Sequence, residues 1–304
     1  MTPSIVLLGN LLVDDVVLAD GTARMAQPGG ALLYGALGAT LWESRVGLVS
    51  VQGDDYPVDV LDNLQQRGVD LAGVHPLGRP GVRTWLLYEG SVRRLIHRLG
   101  CPTHEEVSPR ADHIPAGWSS ARAFHLAPMP FGAQRELLRA LRAHQGAFVS
   151  IDPHLPITEE TLPEWRTALA DADAFLPGED ELRLDGAHSD PYRTLPRLVN
   201  GRLRFVVFKR GAKGGILYDA RDDRFVNWQP RVAGVIDQTG AGDAFGAGLV
   251  LALLEGRSLE ACLQRAIVTA SFAIAGWGPE ALLKATGADA EARLREWYGR
   301  LELQ

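Results

Sequence analysis

Residues 235–248 read VIDQTGAGDAFGAG, and they hold the residue types best suited to chemistry in this chain. Gly240, Ala241 and Gly242 precede Asp243. From Phe245 the apolar residues Leu249, Leu253 and Leu254 recur at three- and four-residue steps, the period of a helix. A glycine turn that opens a helix presents backbone N–H groups with no intrahelical partner. Together with the positive end of the helix dipole, those groups seat an anion such as phosphate. The Asp243 carboxylate would repel a resting anion, so it suggests a base that takes a proton while an anion forms beside it. The plain structural alternative is a tight turn that lets a small-residue helix pack on a sheet. Gly240, Gly242 and Gly246 give G-x-G-x-x-x-G, one residue off the dinucleotide spacing, with the acidic residue inside the turn. No Gly-Lys-Ser/Thr follows, so the stretch is not a P-loop.

A strand must deliver the chain into this turn, and the apolar residues 232–236 are expected to be its end. Residues 5–8 form a short continuous apolar run, as a buried parallel strand does. It ends in Gly9-Asn10, followed by Asp14 and Asp15. In open α/β sheets ligands gather at the carboxyl ends of strands, so one of these aspartates is placed to bind a ligand's hydroxyls. Residues 16–25 alternate loosely and suggest a strand outside the main sheet. Pro28-Gly29-Gly30 opens a second glycine-led helix through residue 42, with Tyr34 one turn inside. Residues 46–51 predict another buried strand and 56–67 an amphipathic helix. Residues 81–89 and 92–98 predict two pairing strands.

From residue 123 strands and helices alternate: strands at 123–128, 147–153, 174–177 and 204–211, with helices at 134–144, 161–170 and 192–199 between them. Residues 214–219 and 224–228 predict hairpin strands, and further helices are expected at 259–275 and 289–303. Alternation of this kind implies a parallel sheet wrapped on both faces.

Net charge is −6 with no Lys/Arg-rich block, which argues against a nucleic-acid surface. Cys101 and Cys262 make neither a disulfide framework nor a zinc spacing, which suits a reducing cytoplasm. The first residues lack the basic region of a signal peptide. No apolar run approaches the roughly 20 residues that span a bilayer, so no membrane is expected. His125 lies in an apolar strand and reads as a satisfied core histidine. Glu179-Asp180-Glu181 lies past a strand's carboxyl end, where carboxylates can hold a divalent ion through water.

Five motifs, in order over nearly the whole chain, resemble the PfkB (ribokinase-like) family of sugar and nucleoside kinases. They are GNLLVD at 9–14, PGG at 28–30, LPGEDE at 176–181, FKRGAKGG at 208–215 and VIDQTGAGDAFGAG at 235–248. The resemblance implies one domain over 1–304, a doubly wound αβα sandwich with a small β-sheet lid from about 14–25 and 81–98. It implies Asp243 as the base and the N–H groups of Gly240, Ala241 and Gly242 as an anion hole. Asp14, Gly29 and Gly30 would hold the acceptor, with Tyr34 beside them. Lys209, Gly211, Gly214 and Thr239 would line the nucleotide, and Ile267 would lie near its base. Glu181 would order Mg²⁺ through water, and Asp237 would belong to a monovalent-cation loop, adding K⁺ to ATP and Mg²⁺. Pairing of two copies through the lid is also implied.

Three positions depart from the family pattern. Gly178 stands in place of the Asn of N-x-x-E, Tyr34 in place of a substrate-binding Asn, and Ala31 in place of a frequent Lys. The resulting expectation is a kinase acting on a sugar or sugar-like polyol. A nucleoside kinase of the same fold and a non-catalytic sugar- or nucleotide-binding relative are the alternatives. A NAD-linked dehydrogenase is more distant.

Overall fold

The computed structural model describes residues 2–89, 92–144, 146–232 and 234–299. Its main sheet is built from β1 (Ile5–Leu8), β4 (Val46–Gln52), β5 (Asp70–Pro76), β8 (Ala123–Leu126), β9 (Phe148–Ile151), β10 (Ala174–Phe175), β11 (Phe205–Lys209), β12 (Gly215–Asp219) and β13 (Arg224–Trp228). A second sheet holds β2 (Leu12–Val17), β3 (Ala23–Gly29), β6 (Arg83–Glu89) and β7 (Val92–His97). The helices are α1 (Ala31–Thr40), α2 (Val58–Gln66), α3 (Phe131–Leu141), α4 (Leu162–Leu169), α5 (Pro191–Thr194), α6 (Ala241–Leu254), α7 (Leu259–Ala273), α8 (Glu280–Lys284) and α9 (Gly287–Tyr298).

The main sheet runs β13-β12-β11-β10-β9-β8-β1-β4-β5, parallel from β11 to β5 and antiparallel through β12 and β13. β1 is buried at every residue, so its two faces feed two cores. Ile5 and Leu7 join α1, α2, α6, α7 and α9, whereas Val6 and Leu8 join α3 and α4. From β1 the chain winds outward through β4 and β5, then returns to β8 on the other side and continues through β11. The order therefore reverses between β1 and β8, and a crevice opens at their carboxyl ends. Leu8 is in register with both Val49 and Leu126, so Gly9 and Ala127 leave the sheet at the same level.

The second sheet is ordered β3-β2-β6-β7, with β2 and β6 parallel. Its register sets Asp14 beside Thr84 and Asp15 beside Trp85. The segment expected as one strand at 16–25 is two, β2 and β3, joined by a turn in which Gly21 N–H donates to Leu18 C=O at 2.9 Å.

Other boundaries also differ from expectation. Residues 232 and 234–236 form no strand. Val232, Val235 and Ile236 are each about half exposed at 50%, 52% and 55%, and among the described residues β13 is the last strand on that edge of the sheet. β5 was not foreseen. The helix expected at 192–199 is the short α5 followed by a 3₁₀ turn, Leu195–Leu198, with Pro196 in place of a backbone donor. Of the helix expected at 289–303, α9 covers the part to Tyr298, and residues 300–303 lie outside the described residues.

Candidate active site

Gly240 caps α6 in the left-handed conformation (φ 77°, ψ 0°), and no side chain caps the helix start. A Cβ at Gly240 would clash with the ring of Tyr34, 2.0 Å from Cγ and Cδ1, so bare glycine is required both by the backbone and by the neighbour. Ala244 N–H makes the first intrahelical bond, to Gly240 C=O at 3.0 Å, which puts Asp243 in the first turn with the orphan donors. The small residues of this helix have a packing reason. A Cβ on Gly38 would lie 3.1 Å from Ala244 Cα, and one on Gly35 would lie 3.1 Å from Leu7, so α1 packs tightly against α6 and the sheet.

Tyr34 is 2% exposed. Burial first, then the charges of Asp14, Asp237 and Asp243, raise its phenol well above the usual range and keep it protonated. That coupling brings the three carboxylates to one site from β2, the α6 turn and α6 itself.

The two adjacent aspartates have separate fates. Asp15 is held by Arg83 through two bonds of 2.7 Å and by Ala26 N–H at 2.7 Å. Burial works against its charge, but these bonds win and lower its pKa. Asp14 faces Gly29, where a Cβ would strike its carboxylate. Gly30 follows at φ 94° as the cap of α1, with no room for a Cβ against Asn10 C=O. Asp14, Gly29, Gly30 and Tyr34 thus form one corner.

On the other flank Lys209 ends β11 and pairs with Asp152, which follows β9. Burial, opposed by Lys209 and reinforced by Asp243 and Glu181, pushes the Asp152 carboxyl up to about 7. Burial also works against the Lys209 ammonium, but Asp152, Glu181 and Asp243 together hold its pKa above the usual value. Glu181 folds back so that its Oε2 accepts from Gly178 N–H at 2.6 Å, and a Cβ at 178 would strike that oxygen. The glycine is therefore what admits this carboxylate position. Glu179 is turned away to Lys213 at 2.8 Å. Gly211 (φ 51°) borders open space, whereas Gly214 packs against Trp228 C=O.

Asp237 accepts from Thr239 N–H at 2.9 Å, Thr239 Oγ1 at 2.8 Å and Gly278 N–H at 3.1 Å, with the Tyr88 hydroxyl at 3.3 Å. Three of these donors converge on Oδ1 and one reaches Oδ2, and the arrangement holds the turn before α6. Ile267, on α7, is 7% exposed and packs in the core. His125 is 1% exposed, hydrogen-bonds Ser150 at 2.8 Å and is pushed down to about 3 by burial, so it is a neutral core residue.

Sequence reasoning passed over Asp152, although it follows a buried run at a strand's carboxyl end, the rule that drew attention to Asp14 and Asp15. It also passed over a cavity of about 400 Å³ beside the second sheet, lined by His97, His104, His154, Arg98 and Leu155. Asn10 Nδ2 lies 3.4 Å from His104 Nδ1, and Thr84 Oγ1 lies 3.4 Å from His97 Nδ1, which ties the cavity to the Asp14 corner. Burial lowers the His104 pKa to about 4. Among the described residues no group of three His, Cys, Asp or Glu is arranged to hold a metal ion, and no helix is long and apolar enough to cross a membrane.

The sheet order, the second sheet and the glycine-capped α6 define a ribokinase-like fold. A putative ribokinase II from E. coli, solved with ATP and Mg²⁺, superimposes with a TM-score of 0.75 at 21% identity, over 97% of this chain and 100% of that one. The chain belongs to the pfkB family of carbohydrate kinases, whose model matches residues 15–284. A cytidine kinase from Thermococcus kodakarensis is 29% identical over 90% of this chain and 97% of its own length. An acarbose 7(IV)-phosphotransferase from Actinoplanes sp. is 30% identical over 86% of this chain and 83% of its own.

Proposed function

We propose that the chain transfers the γ-phosphoryl group of ATP to a hydroxyl of a sugar or sugar-like polyol, with Asp243 as base and the N–H groups at 240–242 as anion hole. The observation that carries this reading is Asp243 in the first turn of a glycine-capped helix, within electrostatic reach of Tyr34 and Lys209. Asp14 receives the acceptor's hydroxyls, and the second sheet serves as the lid over them. Asp243 takes the acceptor proton as the oxygen attacks, and the helix start stabilises charge on the transferring group. Asp152, Glu181 and Asp243 outnumber Lys209 in charge, and such an oxygen-rich surplus fits a hydrated Mg²⁺ ordered by Glu181. When bound, that ion supplies charge neutralisation along the phosphates.

A nucleoside acceptor is the second reading. It is favoured by the histidine-walled cavity beside the Asp14 corner, which has room for a ring beyond the sugar, and by the likeness to a cytidine kinase.

The test is Asp243→Asn, assayed by ADP release over a panel of sugars, inositols and nucleosides. Turnover is expected to fall by about 10²- to 10⁴-fold while nucleotide binding persists. Near-native turnover in the variant removes Asp243 as base. Ligand-induced stabilisation without turnover by the wild type on any acceptor supports a non-catalytic binder instead.

A further inference from the structure

The end of β11 brings Lys209 to the start of α6. A Cβ built on Gly242 lies 3.4 Å from Lys209 Nζ. Among the described residues, chain neighbours and the helix's own backbone aside, nothing else comes within 4 Å of that point. The ammonium therefore borders the second residue of the proposed anion hole, not a stretch farther along the nucleotide. Its side chain keeps 15% exposure while its partner Asp152 keeps 3%. The cation reaches the surface of the site, and the carboxylate that holds it does not.

We infer that Lys209 is a catalytic residue that binds the γ-phosphoryl oxygens at the α6 start, and that Asp152 is the positioning residue that holds the ammonium there until nucleotide arrives. This rests on the phosphotransferase reading above and assigns a further residue to it.

In the step itself the bond from phosphorus to the leaving oxygen breaks and the bond to the acceptor oxygen forms. The acceptor's proton goes to Asp243. Lys209 keeps its proton and contributes charge alone, an ammonium's worth of stabilisation where negative charge is spread over the phosphoryl oxygens. When Lys209 turns from Asp152 to phosphate, it leaves a buried carboxylate behind. Asp152 tolerates that exchange because burial has moved its carboxyl to about 7, so it can take a proton from solvent at neutral pH.

An ion pair that merely braces β9 against β11 would look similar in a static view, but it behaves differently under substitution. Breaking a brace from either side has the same consequence. Removing a phosphoryl-binding cation does not match removing its holder.

The experiment is calorimetric titration of Mg-ATP and Mg-ADP into the wild type, Lys209→Met, Asp152→Asn and the double variant, with kcat measured on an accepted substrate. Lys209→Met is expected to weaken ATP about 10- to 100-fold, the range of one charge-assisted hydrogen bond, and to lower kcat about 10²- to 10³-fold. ADP affinity stays within about threefold, less than half a decade. Asp152→Asn keeps the preference for ATP over ADP. The double variant carries no unpaired buried charge, so it folds even if Lys209→Met does not, and it shows the Lys209→Met pattern.

Equal weakening of ATP and ADP would make Lys209 an ordinary nucleotide contact and overturn the inference. So would an Asp152→Asn variant that matches Lys209→Met. Wild-type kcat in Lys209→Met overturns it while leaving the phosphotransferase reading intact. A wild type that binds neither nucleotide overturns both.

Discussion

Two helix starts in this molecule are built in opposite ways. α9 begins at Thr286, whose hydroxyl accepts from Asp289 N–H at 3.2 Å while the Asp289 carboxylate accepts from Thr286 N–H at 2.9 Å. That reciprocal box satisfies the orphan donors internally. α6 begins at Gly240, which has no side chain to cap the helix, with its acidic residue Asp243 also three positions in, and Ala241 N–H donates back to Gln238 C=O at 3.3 Å. The same carboxylate position closes one helix and arms the other. A start that caps itself is finished as structure. A start without a side-chain cap presents first-turn N–H groups that a bound anion can satisfy.

The largest effect that would break this contrast is expected at Gly240. Gly240→Ala must place a Cβ against the Tyr34 ring and hold φ near 77°. The two costs together are about 2–4 kcal/mol, read by denaturant unfolding, with turnover lost alongside. In a Tyr34→Ala background the overlap vanishes and the penalty should shrink. Unchanged stability and turnover in Gly240→Ala would mean that the α6 start is not constrained as described.

The next effect lies beneath α6, where a Cβ at Gly246 would touch His125 at 3.4 Å. Folding lowers the His125 pKa from 6.5 to about 3. Between those values the unfolded chain binds a proton that the native chain refuses, so stability is full above pH 6.5 and falls as the pH drops toward 3. At pH 5 the loss is about 2 kcal/mol. Thermal unfolding of His125→Gln should show a flatter decline over this window than the wild type. An identical slope would show that this imidazole is not the proton-refusing group.

The smallest effect belongs to the self-capped end. Thr286→Ala should cost about 1 kcal/mol of stability and leave kcat unchanged, because the box serves α9 alone. A loss of turnover there would dissolve the distinction between the two starts.

The parts legible in the sequence were those with local causes. The glycine turn before Asp243 and the strand end before Gly9 follow from local pattern, whereas the strand expected at 174–177 is the shorter β10, Ala174–Phe175. Val232, Val235 and Ile236 misled because a β-branched apolar run resembles a strand whether or not a neighbour exists to pair with it. β5 was missed because DLAGVHP lacks alternation. It is an edge strand, and Gly73 lies so close to Leu48 C=O that a Cβ there would be only 2.6 Å away. Tyr34 stood out as a departure, but its contact with Gly240 crosses more than half the chain and no local pattern announces it. Strand-end position alone left Asp14 and Asp15 alike, and only the family resemblance favoured Asp14; the fold separates them by pairing Asp15 with Arg83.

The folded-back Glu181 depends on the bare backbone at position 178. Its carboxylate tip sits where a side chain at position 178 would go. A side chain at 178 would have to turn the tip of Glu181 aside and so break its bond to the 178 N–H, which makes the resting direction of this carboxylate a property of two positions and not of Glu181 alone.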